Sequence, residues 1–129
     1  MAVILAMDHK PHTEKAFDYA LRYADLYGEA LHIICVITPS QDVDGELMLK
    51  AIEPKMEEAC SKAVSAGLEV ESAIEFGLPA ERIMSYAEEL GAKAIILGTS
   101  RKSTFERVIL GSVSERVVRN ALSTVIVVR

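Results

Sequence analysis

Short apolar runs without polar alternation recur along this chain, and they constrain its fold more than any other feature. Ala2-Val3-Ile4-Leu5-Ala6-Met7 is the first, Leu31-His32-Ile33-Ile34-Cys35-Val36-Ile37 the second, and Ala94-Ile95-Ile96-Leu97 and Val125-Ile126-Val127-Val128 follow. A strand with one face in water alternates apolar and polar residues, whereas a strand covered on both faces reads as a continuous run. Such runs predict a mainly parallel sheet with helices on both sides.

The segments between them carry helical periodicity. Phe17, Ala20, Leu21 and Ala24 mark one buried face of a helix over Thr13–Tyr27, which Gly28 ends in a left-handed cap. A second helical layer bears Ile52, Met56, Ala59, Cys60 and Ala63 on one stripe and stops at Gly67. Pro54 lies inside it, so the layer is either two helices, the second beginning at Pro54, or one helix kinked there. Residues 68–76 alternate, with Glu69, Glu71 and Glu75 against Val70, Ala73 and Ile74, as suits a charged edge strand. Pro79 then opens a helix whose inner face is Ala80, Ile83, Met84, Ala87 and Leu90, ended by Gly91. Ser112-Val113-Ser114-Glu115 matches a capping box, with Val113, Val117, Val118 and Ala121 behind it on one face.

Five strands alternating with four helical segments define an α/β class: a three-layer, Rossmann-like fold around an open parallel sheet. The 129 residues are expected to form a single domain, and no linker or repeat divides them. With half the residues apolar and a net charge of −5, a globular protein is expected, and a general nucleic-acid or anionic-membrane binder is disfavoured. No apolar stretch approaches the ~20 residues of a membrane span, and the first run has no basic leader, so the cytoplasm is the expected setting. Cys35 and Cys60 form no C-x-x-C pair and read as core residues.

Ligands of such sheets bind beyond the C-terminal ends of the strands, where strand order reverses. Two segments have the composition for that place. Residues 98–112, Gly-Thr-Ser-Arg-Lys-Ser-Thr-Phe-Glu-Arg-Val-Ile-Leu-Gly-Ser, join an apolar strand to a helix start. Gly98 and Gly111 allow close approach of backbone to a ligand. Arg101 and Lys102 supply positive charge, and Thr99, Ser100, Ser103 and Ser112 supply donors. The plainer reading is a long surface loop before an ordinary capped helix. Asp8, directly after the first strand, is suited to ribose hydroxyls or an adenine amino group, or else to an Asx turn with Lys10. Val36 and Ile37 form an apolar wall for a base, or plain core. If Asp8 and Gly98 face each other, the first and fourth strands are neighbours and the order is 3-2-1-4-5.

Other chemistries find little support. His9 and His12 are separated by Pro11 and lack a third ligand nearby, which argues against zinc. Ser100, Asp8 and a histidine have no Gly-x-Ser-x-Gly elbow, and no Gly-Lys-Ser/Thr triplet marks a Walker A loop. No catalytic residue is assigned. The four β-branched residues Val125 to Val128 have only Arg129 as a guard. At a sheet edge they form a template for pairing, most simply with a second copy through residues 124–128.

Element order, length and three motifs together resemble the universal stress protein family, over essentially the whole chain. The motifs are the first strand ending in Asp8 with Glu14-Lys15-Ala16 after it, the second strand ending at Val36, and a loop of the form Gly-x2-Gly-x9-Gly-Ser/Thr. In that loop Gly98, Gly111 and Ser112 hold their places. The segment Leu110-Gly111-Ser112-Val113-Ser114-Glu115-Arg116-Val117 and the final strand are also similar to the family.

The resemblance implies an adenine nucleotide alpha hydrolase-like fold and binding of ATP or another adenine nucleotide, with or without Mg²⁺. It further implies a homodimer formed by the last strand, and a stress-response signalling role with a protein partner that the sequence does not identify. The implied binding set is Asp8, Val36, Leu97, Gly98, Thr99, Arg101, Lys102, Gly111, Ser112, Val113 and Ser114. Asp8 and Val36 would meet the nucleoside, residues 98–102 the phosphates, and residues 111–114 the phosphates and ribose. Arg101 stands where the loop pattern has its second glycine. Its guanidinium either binds a phosphate bidentately or fills the phosphate's space, and a non-binding branch of the family exists. No placed general base and no acidic pair for Mg²⁺ is evident, so hydrolysis is at most weak.

Overall fold

The structure, a computed structural model, describes residues 2–8, 13–99 and 111–129. Its elements are β1 (Ala2–Ala6), α1 (Thr13–Tyr27), β2 (Ala30–Ile37), α2 (Gly45–Ser65), β3 (Val70–Phe76), α3 (Pro79–Leu90), β4 (Ala94–Gly98), α4 (Ser112–Asn120) and β5 (Thr124–Val128). The strands form one parallel sheet in the order β3-β2-β1-β4-β5, as the sequence predicts. β1 lies at the centre, with Ala6 opposite both Ile34 and Leu97.

Alternation along each strand divides the core into two layers. Val3, Leu5, Ile33, Cys35 and Ile96 face α1 and α2, meeting Phe17, Ala20, Ala24, Ile52, Met56 and Ala63. Ile4, Ile34, Ile95 and Leu97 face α3 and α4, meeting Ala80, Ile83, Ala87 and Val117. The uninterrupted apolar runs thus arise because the inner strands are covered on both faces. The outermost strands differ in the way their sequences indicate. β3 is charged and half exposed at one edge, while β5 sits at the other with Val125, Ile126, Val127 and Val128 half-buried.

Three local features refine the sequence reading. α2 is one helix of 21 residues with Pro54 inside it. Pro54 is exposed, and the backbone acceptor it leaves at Lys50, also on an exposed residue, can turn to water. The start of α2 is fixed by Asp44, whose Oδ1 accepts from the backbone N–H groups of Glu46 (2.9 Å) and Leu47 (3.4 Å). The capping box expected at Ser112 does not form. Gly111 is the N-cap of α4 with no side-chain cap, Ser112 is the first helical residue, and Glu115 pairs with Arg119 at 2.8 Å. Val118, expected inside, is 45% exposed, so α4 presents a narrower apolar stripe of Val113, Val117 and Ala121.

Candidate functional site

The helix that follows β1, α1, packs on one face of the sheet, and the helix that follows β4, α4, packs on the opposite face. Departure to opposite faces from neighbouring strands opens a crevice between their ends. The crevice is a cleft of about 530 Å³, within the size range of small-molecule sites. Its floor comes from β1, β2 and β4, and its walls from the first turns of α2, α3 and α4.

The three helix N-termini are not equivalent. An α-helix begins with backbone N–H groups that have no partner of its own, and these carry the positive end of its dipole. In α2 the Asp44 carboxylate takes two of them. In α3 the first residue is Pro79, which has no N–H, and Glu81 places an acid in the first turn. α4 has no side-chain cap and no proline, and its own first-turn acid, Glu115, is paired with Arg119 at 2.8 Å. Its cap is Gly111, with φ −64° and ψ 161°, and Ser112, Val113 and Ser114 all border the cleft. Among the described residues nothing requires Gly111 to lack a side chain: its φ is not left-handed, and no described atom lies within 4 Å of where a Cβ would be.

The opposite end of the cleft is apolar, walled by Ile34, Val36, Met48, Ile52, Pro79 and Ile83. It also contains one unpaired stretch of sheet edge. Met7 N–H donates to the Ile34 carbonyl at 2.8 Å, and the β1–β2 register ends there. Backbone direction alternates along a strand, and Gly77 N–H bonds the Ile37 carbonyl on the β3 side at 3.0 Å. The N–H and C=O of Val36 therefore point to the β1 side, beyond Ala6–Ile34, the last β1–β2 register pair among the described residues. A donor and an acceptor lie side by side in an apolar setting.

Asp8 borders the cleft between these ends and is the one carboxylate among the described lining residues. Burial, and secondarily the Asp8 charge, push the Cys35 thiol up to about 11, so this cleft-floor residue is a neutral thiol at physiological pH. Thr99 continues the β4–β5 pairing, its N–H donating to the Val128 carbonyl at 3.0 Å and its hydroxyl reaching the same oxygen at 3.4 Å.

Of the residues singled out from the sequence, Asp8, Val36, Leu97, Gly98, Thr99, Gly111, Ser112, Val113 and Ser114 all border this one cleft. Arg101 and Lys102, with Ser100, Ser103, His9 and His12, lie outside the described residues. No group of three His, Cys, Asp or Glu suited to a metal ion occurs among the described residues. No helix among them is long and apolar enough to cross a membrane. Sequence reasoning missed the contributions of α2 and α3 to the wall, through Met48, Ile52, Pro79 and Ile83, and that of Val43 just before α2. Only Asp44-Gly45, an N-cap signal ahead of the second helix, could have revealed that α2 begins beside the cleft.

An open parallel sheet in the order 3-2-1-4-5, with helices on both faces and a cleft at its switch point, defines a Rossmann-like α/β class. Within that class the chain belongs to the universal stress protein family, whose model matches residues 1–129. Universal stress protein MJ0531 of Methanocaldococcus jannaschii is 29% identical over 98% of this chain and 81% of its own length. A Staphylococcus aureus strain USA300 protein named for the same family is 33% identical over 98% of this chain and 82% of its own length. The solved structure of a universal stress protein from Archaeoglobus fulgidus superposes with a TM-score of 0.86 at 25% identity, covering 100% of this chain and 98% of that one. A universal stress protein solved in complex with cAMP has a TM-score of 0.80 at 26% identity, covering 100% of this chain and 97% of that one.

Proposed function

We propose that the cleft binds an adenine nucleotide, ATP among them, and that the protein acts in stress-response signalling through the difference between its loaded and empty states. The observation that carries this reading is the uncapped α4 N-terminus at one end of a cleft whose other end exposes the Val36 backbone. The first-turn N–H groups of α4 with Ser112 and Ser114 suit a phosphate, and Gly111 leaves room for it. Asp8 suits the ribose, and Arg101 and Lys102 would add charge from the connecting loop. Val36 would offer its N–H to a ring nitrogen and its C=O to an amino group. That polarity matches the adenine edge, with acceptor N1 beside donor N6, and is reversed for guanine. The family relative in complex with cAMP supports an adenine ligand.

The same donor set favours binding over turnover. Mg²⁺ is commonly held by one or two carboxylates together with substrate phosphates, and the described lining offers Asp8 alone. No side chain described there is placed as a general base. A nucleotide supplies the phosphate charge and base stacking that the empty cleft lacks. The segments bordering it would therefore be ordered differently in the two states, and a protein partner reading them would sense occupancy.

The reading includes a homodimer through β5. Because the Val128 carbonyl is bonded from the β4 side, the N–H and C=O groups of Val125 and Val127 face outward along the open edge. An apolar edge with free backbone groups is most simply covered by its own copy.

Isothermal titration with ATP, ADP, AMP, cAMP and GTP tests the ligand. Saturable heat with the adenine compounds and little with GTP is expected. Equal binding of ATP and GTP would remove the role given to Val36, and no binding of any of the five would remove the site.

A further inference from the structure

The flank of α1 that faces β5 is aromatic where a solvent-facing flank is ordinarily charged. Tyr19, Tyr23 and Tyr27 follow one another at helical-turn spacing, with ring centroids 6.4 and 4.6 Å apart along the ladder. With Arg22 and Leu26 they line a shallow groove of about 340 Å³. Leu26 is 77% exposed and Tyr27 51%. The Tyr27 ring lies 4.4 Å from Lys93 Nζ, and Lys93 leads directly into β4, which sets this flank on the β4–β5 side of the sheet. Right-handed crossover from β1 through α1 to β2 leads to the same side, given the buried positions Ala16, Ala20 and Ala24. Tyr23 packs on the same core layer as Ile126 and Val128 of β5. A continuous apolar strip thus runs from the α1 ladder down to the open edge of the sheet.

We propose that this tyrosine flank is a self-association surface: in a β5-paired dimer it packs against the same flank of the second copy and sets how tightly the copies hold. The inference rests on the β5 pairing proposed above. Strands lie about 4.8 Å apart, and α1 rests across β1 and β4, so two copies joined edge to edge place their α1 axes four strand spacings, about 19 Å, apart on one face. A helix with ordinary side chains is about 11 Å across, which leaves a trench about 8 Å wide over the paired β5 strands. Its floor is Ile126 and Val128 from each copy, which water would otherwise cover. Tyr19, Tyr23, Leu26 and Tyr27 are the long apolar side chains at the α1 positions that reach into it. A pairing of five-residue strands buries little area for a stable dimer, and this flank adds aromatic area of the kind that dominates interface energetics.

Sedimentation equilibrium of the full chain tests this with three proteins: wild type, the double variant Tyr19→Ser/Leu26→Ser, and Val127→Pro. Tyr19 and Leu26 are both exposed, and circular dichroism with thermal melting verifies that the double variant is folded. The expected result is a wild-type dimer and a dissociation constant raised about tenfold or more in the double variant. Intrinsic fluorescence gives an independent reading, because the chain has 4 Tyr and no Trp, and three of those Tyr lie on this flank. Acrylamide quenching should fall as wild type associates. A double variant that dimerises like wild type, with quenching indifferent to concentration, overturns the inference, and Val127→Pro being monomeric then leaves the β5 reading in place. Wild type that stays monomeric at high micromolar concentration overturns the β5 reading and this inference with it.

Discussion

Gly111→Asp should stabilise the protein and abolish nucleotide binding at the same time. Gly111 already has the extended N-cap backbone in which an Asp side chain can reach the N–H groups of the first turn, and no described atom lies within 4 Å of the new Cβ. α2 demonstrates the interaction in this chain, with Asp44 accepting from Glu46 and Leu47. Asp exceeds Gly at an N-cap by a few tenths of a kcal/mol, and a carboxylate at the positive dipole end adds about 0.3–1 kcal/mol. A gain of about 0.5–1 kcal/mol raises Tm by roughly 2–5 °C for a chain of this size. The same carboxylate occupies the N–H groups offered to phosphate and repels its charge. Losing two charge-assisted hydrogen bonds at about 1.5–3 kcal/mol each lowers affinity about 100-fold or more. Calorimetric melting of the ligand-free protein and titration with ATP measure the two effects separately. Because the effects have opposite signs, a misfolded variant cannot imitate them. A variant that binds ATP as tightly as wild type would refute the assignment of phosphate to α4, and a lower Tm would refute the cap geometry.

Removing the existing cap with Asp44→Ala should cost about 1 kcal/mol of stability in a denaturant titration, with ATP affinity close to wild type, since that carboxylate serves α2 and not the ligand. Val127→Pro removes an outward N–H while sparing the β4 ladder, so it should give folded monomer in size-exclusion chromatography. A dimer of unchanged size would count against β5 as the interface. At pH 8, iodoacetamide should label half-buried Cys60 well before Cys35, whose thiol is held near 11 chiefly by burial; peptide mapping that finds Cys35 labelled first would contradict the closed cleft floor. The fold favours the Cys35 thiol over the thiolate, so its contribution to stability is full below the unfolded value of 9.0 and is lost as pH rises through about 11. Cys35→Ala should accordingly flatten the decline in Tm between those values.

What the sequence disclosed follows from how directly each feature is written into it. The inner strands were legible because both faces are covered and no polar residue interrupts Val3 to Leu5 or Ile95 to Leu97. Gly28 and Gly91 were legible as helix ends because both adopt left-handed backbone, with φ 64° and 59°, that other residues avoid. Strand order was reached through an assumption that Asp8 and Gly98 face each other; the order is as expected, and both residues border the one cleft. The ambiguity at Pro54 was real at the level of sequence. A proline in mid-helix is tolerated only when the orphaned carbonyl can face water, and that depends on tertiary placement. The capping box at Ser112 failed because a four-residue pattern does not say which residue leaves the helical region first; here Gly111 does, one position early. That error matters for the site, since a helix capped by its own serine would have used first-turn N–H groups that the Gly111 cap leaves without a side-chain partner among the described residues. The apolar end of the cleft was only half visible: Val36 and Ile37 belong to a recognisable strand end, but Met48, Ile52, Pro79 and Ile83 read as ordinary helix-face residues and enter the wall through packing.

Denaturing purified wild type and Gly111→Asp and separating the released small molecules by liquid chromatography tests the central claim most directly. An adenine nucleotide released from wild type, or taken up by it on incubation with ATP, and missing from the equally folded variant is the result expected here. Wild type that releases none, takes up none, and shows no thermal shift with ATP, ADP, AMP or cAMP would contradict it.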